Sequence, residues 1–415
     1  VIMKSIKIKP SVLKGKVEIP PSKSLSHRAI ICASLCNKGQ SILKNIILSE
    51  DIKATIEGMK KLGAEITLLN KNAYIKNNGK INTIPLIYCG ESASTLRFLI
   101  PLSLVLTHFC RFFGSKKLFE RPLDVYYTIF NKQHIYYKTD GSYPLAIKGR
   151  LLPGAYEIPG DKSSQFISGL LLSLPLLEND SKITVTGNFE SKAYVDMTAD
   201  IMEKFGVHTE KIGEKTFFIK GRQTYKSTFY TIEGDYSQAA FFLVANELGS
   251  KIECLGLNNV SLQADKEIIN IIKRYKYENN EIIIDASQIP DLVPIITVLS
   301  SLKEKRTTVI KNAGRLHLKE SDRLKAISTE LNKLGAHIRV TEDGLVIKGR
   351  ESLNGCTKVN SWDDHRIAMS LAIAATKCKN EIILENHLAV NKSYPHFWRD
   401  YKSLGGKYNE LSNWK

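Results

Sequence analysis

The chain lacks the long apolar run that a membrane-spanning helix needs. Its 415 residues contain no apolar stretch of the roughly 18 residues that cross a bilayer. The longest stretches, around residues 98–106 and 166–177, are interrupted by proline, serine or glycine. The first residues, VIMKSIKIKP, also lack the apolar core and the cleavage site of a signal peptide. We therefore expect a cytoplasmic protein that does not act in a membrane.

Cysteine is scarce, and neither cysteine nor histidine is spaced for a metal. The seven cysteines, an odd number, form no disulfide framework and no zinc pattern, so we expect reduced thiols, which are typical of the cytoplasm. The nine histidines are scattered without ligand spacing. The Walker sequence and the G-x-G-x-x-G fingerprint are also missing. We expect no metal and no organic cofactor.

Acidic residues are fewer than basic ones. The 59 Lys and Arg residues exceed the 42 Asp and Glu residues and give a net charge of +17. A nucleic-acid-binding protein would gather this excess into one basic patch interleaved with aromatic residues. Here lysine is spread along the chain and forms no basic block, so binding to nucleic acid is not predicted. The excess instead favours small anionic ligands.

One motif occurs twice. The sequence E-I-P-x-x-K-S at residues 18–24 returns at residues 157–163. Both copies follow a strand-like run and lead into an apolar helix, so each places a lysine and hydroxyl groups at a strand-to-helix turn. Unpaired N–H groups and the helix dipole favour anions at such a turn. Two such sites in a duplicated fold predict an enzyme that acts on phosphorylated or carboxylated substrates.

Two signatures repeat along the whole chain. Four further strand-to-helix junctions, near residues 86–92, 230–236, 282–290 and 358–363, bring the number to six. A glycine just after an amphipathic helix, at Gly63, Gly206 and Gly335, predicts a left-handed cap before a strand. Six units, three per half, predict two similar α/β lobes with a boundary near residues 221–234, and we expect their helix N-termini to face a shared cleft. The alternative, one doubly wound sheet, lacks its glycine-rich fingerprint.

Arginines stand near the start of several units, at Arg97, Arg121, Arg323 and Arg366. Arginine forms bidentate, charge-assisted bonds with phosphate or carboxylate, which makes these four candidate ligands for an anionic substrate. An ordinary ion pair is the alternative for each of them, and Asp322, Asp363 and Asp364 are the nearby candidate partners.

Acidic residues lie among these cations. Lys319 and Arg323 are spaced as i and i+4, which predicts that they share one helix face with Glu320 beside them. A carboxylate among cations can shuttle a proton, because its neighbours tune its pKa. The alternative for Glu320 is favourable placement of an acid at a helix N-terminus. The alternative for Asp291 is a helix N-cap.

These residues belong to a series of motifs that runs in order nearly from end to end of the chain. The motifs are SKSLSHR (22–28), CGESASTLR (89–97), ERPL (120–123), GDKSSQ (160–165), SKAY (191–194), EGDYS (233–237), DLVP (291–294), KESDR (319–323), DDHR (363–366) and NKSYP (391–395). Through them the chain resembles the 5-enolpyruvylshikimate-3-phosphate (EPSP) synthase family. The resemblance implies an α/β fold of two similar lobes, each of three βαβαββ units of the inside-out α/β barrel type, with the active site in the interdomain cleft. One lobe would comprise residues 20–233, and the other residues 1–19 with 234–415.

The resemblance also implies a reaction and a site. The family transfers the enolpyruvyl group of phosphoenolpyruvate to the 5-hydroxyl of shikimate 3-phosphate by addition and elimination, and releases phosphate. By resemblance, Asp291 is the base for the 5-hydroxyl, Glu320 protonates the phosphoenolpyruvate methylene, and Lys23 is also catalytic. The residues matched to shikimate 3-phosphate are Lys23, Ser24, Arg28, Ser163, Ser164, Gln165, Ser191, Tyr194, Asp291 and Lys319. Those matched to phosphoenolpyruvate are Lys23, Ala93, Arg121, Gln165, Arg323, Arg366 and Lys392. We expect a monomer of the shikimate pathway with no metal, cofactor or macromolecular partner.

The chain departs from the family pattern at three positions. Arg315 stands where the family often has an asparagine that contacts shikimate, and Glu91 replaces the usual asparagine after Gly90. Ala93 stands where many members have glycine, at the rim of the phosphoenolpyruvate pocket. Its extra methyl group predicts weak inhibition by glyphosate together with near-normal affinity for phosphoenolpyruvate.

Two other functions stay open at this point. The sister enolpyruvyl transferase that acts on UDP-N-acetylglucosamine shares the fold. That enzyme would have Lys-Asn in place of Lys23-Ser24 and a catalytic cysteine in a glycine-rich loop, whereas Cys110 lies in an apolar stretch. A non-enzymatic anion-binding protein would not need Asp291 and Glu320 among cationic sites.

Overall fold

The computed structural model describes residues 5–81, 84–138, 145–278 and 281–411. The chain divides into two compact units. The continuous unit is Pro21–Glu233, and the discontinuous unit combines Val1–Pro20 with Gly234–Lys415. Each unit has a hydrophobic core of its own. Among the described residues, no helix is both long enough and apolar enough to cross a membrane.

The continuous unit contains three four-stranded sheets that repeat one strand order. In each sheet the first strand pairs in parallel with the second, the second pairs antiparallel with the third, and the third pairs antiparallel with the fourth. In that order the sheets comprise Phe229–Thr231, Ser41–Lys44, Asn72–Asn77 and Ala64–Leu69; Leu86–Tyr88, Phe109–Phe113, Leu145–Lys148 and Tyr136–Lys138; and Ala155–Pro159, Ser181–Thr186, Thr216–Ile219 and Glu210–Ile212.

The discontinuous unit repeats this order in two sheets and shortens it in a third. In the third sheet the described residues supply only one parallel pair of strands, whereas the family resemblance implies a four-stranded unit there. The predicted α/β class is confirmed. The two full sheets comprise Lys358–Asn360, Ile382–Glu385, Ser5–Lys9 and Lys407–Leu411, and Ile282–Asp285, Thr307–Lys311, Gly344–Lys348 and His337–Thr341; the short one pairs Lys251–Leu255 with Lys14–Glu18.

The helices are of two kinds. Six are buried around most of their circumference, as their apolar sequences require, and the three of these in the discontinuous unit pack against one another. The six are Lys23–Ser34, Ala93–Leu106, Ser164–Ser173, Tyr236–Glu247, Val293–Ser301 and His365–Ala375. The others are Glu50–Lys61, Lys116–Phe119, Asp124–Lys132, Lys192–Lys204, Ile268–Tyr277, Arg323–Lys333 and Phe397–Ser403, with short 3-10 helices at Leu174–Leu176, Ala264–Glu267, Pro290–Leu292, Gly314–Leu318 and His387–Lys392.

The predicted strand-to-helix turns of the repeated motif are confirmed. Ser22 Oγ accepts a hydrogen bond from the N–H group of Leu25, and Ser163 Oγ accepts one from that of Gln165. Each copy of the motif therefore caps the helix that follows it, because the hydroxyl satisfies an N–H group that has no partner within the helix.

The predicted glycine caps are also confirmed. Gly63, Gly206 and Gly335 follow the ends of amphipathic helices with positive φ angles of 98°, 77° and 92°. Glycine reaches this left-handed conformation without the steric cost of a Cβ atom. Each cap ends its helix where the periodic pattern ends in the sequence.

The predicted helix face shared by Lys319 and Arg323 is wrong. A 3-10 helix ends at Leu318, and Lys319 has an extended backbone with φ −87° and ψ −158°. The α-helix begins only at Arg323, because the side chain of Asp322 accepts a hydrogen bond from the N–H group of Lys325 and caps it there. Lys319 is therefore presented by a loop.

The helices Ala93–Leu106 and Ser164–Ser173 approach each other closely at Gly169. A Cβ atom on Gly169 would lie 2.5 Å from Tyr126 Oη and 2.6 Å from the carbonyl oxygen of Arg97. The tyrosine hydroxyl donates a hydrogen bond to that carbonyl, so the two groups cannot separate without losing it. We expect Gly169→Ala to lower the free energy of unfolding by about 2 kcal/mol, as measured by urea denaturation.

Gly58→Ala is the matched control, because it also adds a methyl group to a buried helical glycine. The new Cβ atom would lie 2.5 Å from Leu99 Cδ1, the end of a flexible side chain that can shift. Alanine also favours the helix by up to about 1 kcal/mol. We expect this variant to stay close to wild type in stability, and an equal loss in both variants would contradict the argument.

Candidate active site

A buried ion pair lies at the N-terminus of the helix Lys23–Ser34. Lys23 Nζ is 2.7 Å from Asp51 Oδ2, and the two side chains are 16% and 12% exposed. Asp51 belongs to the first turn of the helix Glu50–Lys61. Nothing in the sequence indicates this role of Asp51, since acidic residues are common in first turns. The pair fixes the ammonium group of Lys23 at a helix end that also favours anions.

Arg28 is buried further along the same helix, and within the described part of the chain its hydrogen-bond partners are all neutral. It donates to Thr198 Oγ1 at 2.7 Å, to the carbonyl oxygens of Ser24 and Tyr194 at 2.7 and 3.0 Å, and to Ser168 Oγ at 3.3 Å. Burial lowers the pKa of Arg28 to about 10, because it disfavours the charged form. The group is still charged at neutral pH, so the site favours an anionic ligand.

Gln165 is held by two other polar side chains. Its Oε1 accepts a hydrogen bond from Arg97 Nη1 at 2.9 Å, and its Nε2 donates to Ser94 Oγ at 2.8 Å. Arg97 also lies over the ring of Phe166, 4.8 Å from its centroid, and donates to the carbonyl oxygen of Pro122 at 3.0 Å. Arg97, a candidate ligand in the sequence, therefore orients Gln165.

The other candidate residues of the continuous unit lie at or near helix starts. Ser191 is buried at the N-cap of Lys192–Lys204 with a φ of 51°, a strained conformation of a kind that clusters at ligand sites. Ser164 and Ala93 are buried first residues of their helices. Arg121 is half-buried and follows the helix Lys116–Phe119.

The two copies of the repeated motif differ in where they place their lysine. Lys23 is mostly buried in its ion pair, whereas Lys162 is 47% exposed and lies 3.5 Å from Asp124. Of the two motif lysines only Lys23 is therefore mostly buried, and the second copy contributes its serines and Gln165.

Asp291 is the centre of a charge cluster in the discontinuous unit. It lies in the 3-10 helix Pro290–Leu292 and makes no N-cap, so that alternative for it is wrong. Its Oδ1 accepts a hydrogen bond from Arg323 Nη1 and its Oδ2 accepts one from Arg366 Nη2, both at 2.8 Å. Lys319 Nζ lies 4.0 Å from Oδ1. One carboxylate thus contacts three cations.

These neighbours set the pKa values of the cluster. Burial by itself would raise the pKa of Asp291, but Arg366, Lys319 and Arg323 together hold it well below its usual range. Burial lowers the pKa of Lys319 to about 8, although the charge of Asp291 opposes the shift. Asp291 is therefore ionised at neutral pH, while Lys319 loses its charge in mildly alkaline solution.

Arg323 is 1% exposed and binds three carboxylates. Its Nε donates to Asp364 Oδ2 at 2.8 Å, its Nη1 donates to Asp291, and its Nη2 forms an ion pair with Glu320. The ion-pair alternative for this arginine is confirmed with Asp364, one of the three candidate partners, whereas Asp322 caps the helix. Glu320 and Asp291 are thus held on one common cation.

Lys392 is held by a strained loop. Its Nζ lies 2.6 Å from the carbonyl oxygen of Asp363 and 3.0 Å from Asp363 Oδ2. Trp362 and Asp363 both have left-handed φ angles, 54° and 56°. The buried carboxylate of Glu330 accepts hydrogen bonds from Trp362 Nε1 at 2.7 Å and from the N–H group of Asn360 at 3.0 Å. The sequence did not indicate Glu330, which resembles any polar helical residue.

The departure at Arg315 lies inside this site. Arg315 is in the 3-10 helix Gly314–Leu318 and donates a hydrogen bond to the carbonyl oxygen of Ser287 at 2.6 Å. Its charge contributes to the lowered pKa of Lys319. The substitution therefore adds positive charge next to a lysine of the cluster.

The arrangement suits the chemistry of small anions. In the continuous unit an ammonium group, a buried guanidinium and helix N-termini can bind phosphate or carboxylate groups. In the discontinuous unit two carboxylates among cations can accept and deliver protons. Within the described ranges, no group of three or more His, Cys, Asp and Glu residues could hold a metal ion.

Comparison with known proteins gives a consistent result. The sequence model of EPSP synthase (3-phosphoshikimate 1-carboxyvinyltransferase) matches residues 8–401. Proteins named 3-phosphoshikimate 1-carboxyvinyltransferase are similar along the whole chain: that of Clostridium perfringens is 51% identical over 97% of this chain and 99% of its own length, and that of Clostridium acetobutylicum is 50% identical over 99% of both. The solved EPSP synthase of Acinetobacter baumannii aligns with a TM-score of 0.82 at 23% identity, over 99% of this chain and 100% of that chain. At that identity the structural likeness shows the fold.

Proposed function

The chain belongs to the EPSP synthase family and catalyses the 3-phosphoshikimate 1-carboxyvinyltransferase reaction, and from this premise we propose which residues bind each substrate and move each proton. The enzyme transfers the enolpyruvyl group of phosphoenolpyruvate to the 5-hydroxyl of shikimate 3-phosphate in the shikimate pathway of aromatic amino acid biosynthesis. Phosphate is the second product. Catalysis requires that two anions are held together, that a hydroxyl is deprotonated and that a carbon is protonated.

Shikimate 3-phosphate is bound mainly by residues of the continuous unit. The buried Arg28 supports this assignment, because its described partners are neutral and an anionic substrate would supply the counter-charge. The helix starts at Ser164 and Lys192 add N–H groups and dipoles that favour a phosphate group. The proposed set is Lys23, Ser24, Arg28, Ser163, Ser164, Gln165, Ser191, Tyr194, Asp291 and Lys319.

Phosphoenolpyruvate is bound by cationic side chains that carboxylates already hold in place. Lys23 is held by Asp51 and Lys392 by Asp363, so little side-chain entropy is lost when the substrate binds. Several cations offset the repulsion between the two substrates. The proposed set is Lys23, Ala93, Arg121, Gln165, Arg323, Arg366 and Lys392.

The carboxylate of Asp291 between two guanidinium groups is the observation that carries this proposal. While Arg323 and Arg366 both bind it, its low pKa makes it a weak base. A phosphoenolpyruvate anion attracts the same guanidinium groups, which weakens their hold on Asp291 and raises its pKa toward a useful value. Asp291 then accepts the proton of the 5-hydroxyl as the oxygen attacks carbon 2 of phosphoenolpyruvate.

Glu320 is the proposed acid for the methylene carbon. It shares Arg323 with Asp291, so the proton donor and the proton acceptor are held on one cation. Glu320 acts in its protonated form, which is favoured when the phosphoenolpyruvate anion draws Arg323 away from it. In the addition step a bond forms between the 5-oxygen and carbon 2, while Glu320 gives its proton to the methylene carbon. In the elimination step the carboxylate of Glu320 takes a proton back from the new methyl group, the bond from carbon 2 to the phosphate oxygen breaks, and the leaving phosphate carries off the proton that Asp291 accepted. The ammonium group of Lys23 offsets the charge on the departing phosphate.

We expect Ala93 to limit inhibition by glyphosate. Ala93 is the first residue of the helix Ala93–Leu106 and is 8% exposed, so its methyl group has little room to shift. Removing it should give space to ligands longer than phosphoenolpyruvate. The Ala93→Gly enzyme should bind glyphosate about tenfold more tightly, which corresponds to about 1.4 kcal/mol, while the KM for phosphoenolpyruvate changes little. Inhibition constants of the two enzymes measure this, and equal glyphosate sensitivity would contradict it.

Phosphate release tests the proposed function. The purified protein is mixed with phosphoenolpyruvate and shikimate 3-phosphate, and a parallel reaction replaces the second substrate by UDP-N-acetylglucosamine. We expect phosphate only with the shikimate substrate. Turnover with the sugar nucleotide alone would assign the chain to the sister reaction, and no phosphate release with either substrate from a folded protein would contradict the proposed function.

The structure offers no support for the sister reaction. That reaction needs a reactive cysteine, but Cys110 is buried in the strand Phe109–Phe113. Burial raises the pKa of its thiol to about 12, so the nucleophilic thiolate is rare at neutral pH.

A cytoplasmic, monomeric enzyme completes the proposal. All seven cysteines are free thiols, and Cys356 is exposed, which is compatible with a reducing compartment. Sedimentation velocity with and without both substrates tests the monomer.

A further inference from the structure

A buried carboxyl group that the proposed mechanism does not use lies behind Arg366. Asp265 is 3% exposed and belongs to the 3-10 helix Ala264–Glu267. Ser237 Oγ donates a hydrogen bond to Asp265 Oδ2 and accepts one from Arg366 Nη2 at 3.3 Å. The same Nη2 atom donates to Asp291 Oδ2 at 2.8 Å. One hydroxyl group therefore links Asp265 to the guanidinium that binds the proposed base.

The segment that carries Asp265 is fixed to the start of a buried helix. Gln263 Oε1 accepts a hydrogen bond from the N–H group of Tyr236 at 3.0 Å, and Gln263 Nε2 donates to the carbonyl oxygen of Gly234 at 2.9 Å. Ser237 belongs to the same helix, Tyr236–Glu247. The carboxyl group and the hydroxyl group thus have a defined separation.

The surroundings of Asp265 favour its neutral form. Burial, followed by repulsion from Asp291, raises the pKa of Asp265 to about 7, although Arg366 and the hydrogen bond from Ser237 oppose the shift. The group therefore changes its charge near neutral pH. The charged groups around it are Arg366, Asp291 and Asp235 on the elements packed against it, and Lys266 and Glu267 on its own 3-10 helix.

The ionisation of Asp265 changes the charge balance of the site. The charged side chains around Asp291 include four cations, Lys319, Arg323, Arg366 and Arg315, and three carboxylates, Asp291, Glu320 and Asp364. A neutral Asp265 leaves this balance unchanged. An ionised Asp265 adds one negative charge beside Arg366, and this charge repels an incoming anion in a site of low dielectric constant.

We propose that Asp265 is a positioning residue that makes the affinity for phosphoenolpyruvate depend on pH. When Asp265 is neutral, Arg366 is available to the substrate. When Asp265 is ionised, it attracts Arg366 through Ser237 and repels the phosphoenolpyruvate anion. This inference rests on the proposed role of Arg366 in binding phosphoenolpyruvate.

The test compares Asp265→Asn with wild type through the KM for phosphoenolpyruvate, from about pH 6 to about pH 8.5, at saturating shikimate 3-phosphate. Asparagine keeps the shape and still accepts a hydrogen bond from Ser237. The ratio of the two KM values removes the titration of the substrate and of Lys319, which both enzymes share. We expect a ratio of wild type to variant near one at the acidic end, where Asp265 is protonated. The ratio should rise to about fivefold at the alkaline end, with a smaller change in kcat.

Two further variants separate this role from a purely structural one. Ser237→Ala removes a hydrogen bond that lowers the pKa of Asp265, so the rise in KM should move to higher pH. Glu267→Gln removes an exposed carboxylate on the same 3-10 helix, where solvent screens its charge. It should follow wild type at every pH.

The experiment distinguishes a failure of this inference from a failure of the proposed function. An active Asp265→Asn enzyme whose KM ratio stays near one at all pH values would overturn the inference and leave the proposed function intact. If that variant does not fold, an unshifted profile in Ser237→Ala overturns the inference instead. A wild-type protein that releases no phosphate would contradict the proposed function itself.

Discussion

The Asp291→Asn enzyme should fold and bind phosphoenolpyruvate but lose kcat by roughly a thousandfold. The amide has the shape of the carboxylate but cannot take the proton of the 5-hydroxyl. Its loss of charge also releases Arg323 and Arg366, which bind Asp291 at 2.8 Å, so the KM for phosphoenolpyruvate should stay equal or fall. Phosphate release at saturating concentrations of both substrates measures kcat, and titration of phosphoenolpyruvate gives its KM.

Asp322→Asn is the matched control for this change. Asp322 caps the helix that begins at Arg323, and asparagine is an equally good N-cap. The variant therefore removes a nearby carboxylate while the local structure is kept, and its kcat should stay within a few fold of wild type. A raised KM with unchanged kcat in Asp291→Asn would mean that Asp291 only organises the cations.

The Arg323→Met variant should lose about 3–5 kcal/mol of the free energy of unfolding. Arg323 is 1% exposed and pairs with Asp364, which is fully buried, and with Asp291 and Glu320, which are 19% and 18% exposed. Methionine fills a similar volume but leaves these carboxylates without their shared cation. Urea denaturation at neutral pH measures the loss. Arg399→Met is the control, because Arg399 is 69% exposed in its ion pair and should contribute less than about 1 kcal/mol.

The loss in Arg323→Met should depend on pH in a defined direction. Burial favours a raised pKa of Asp364, but in wild type Arg323 holds it below its ordinary value. Its stabilising contribution is therefore present above about pH 4, the ordinary pKa of aspartate, and is lost as the pH falls. Without Arg323, burial raises the pKa of Asp364, so its contribution is lost as the pH rises. The difference between the two proteins should grow from about pH 4 to neutral pH, and a constant difference would contradict this account.

The sequence predicts those parts of the molecule that depend on neighbouring residues. The helix start at Ser22, the start at Ser163 and the glycine cap at Gly335 each need only a few consecutive residues, and all three are present. Ser24, Ser164 and Ala93 stand at or near such starts, but the full set of site residues, which includes Lys319 in a loop, came from family resemblance. Their division between substrates came from family resemblance and stays a proposal.

The sequence alone does not predict which residues contact these candidate residues. Asp51 lies 28 residues from Lys23, and Thr198 lies 170 residues from Arg28, so only the folded sheets bring them together. The i, i+4 spacing of Lys319 and Arg323 led to a wrong prediction of a shared helix face. That rule applies only within a helix, and the helix begins only at Arg323. A single acidic residue such as Asp265 gives no signal until its burial is known.

The strand Ser5–Lys9 has a consequence for the order in which the protein can fold during synthesis. It lies between Ile382–Glu385 and Lys407–Leu411 and pairs antiparallel with both. Ser5–Lys9 is the first described strand to be synthesised, and its hydrogen bonds in the sheet can form only after both of these partner strands have been made. All strands of the continuous unit are synthesised after Ser5–Lys9 and before Ile382–Glu385. The continuous unit can therefore fold during translation, before the discontinuous unit is complete.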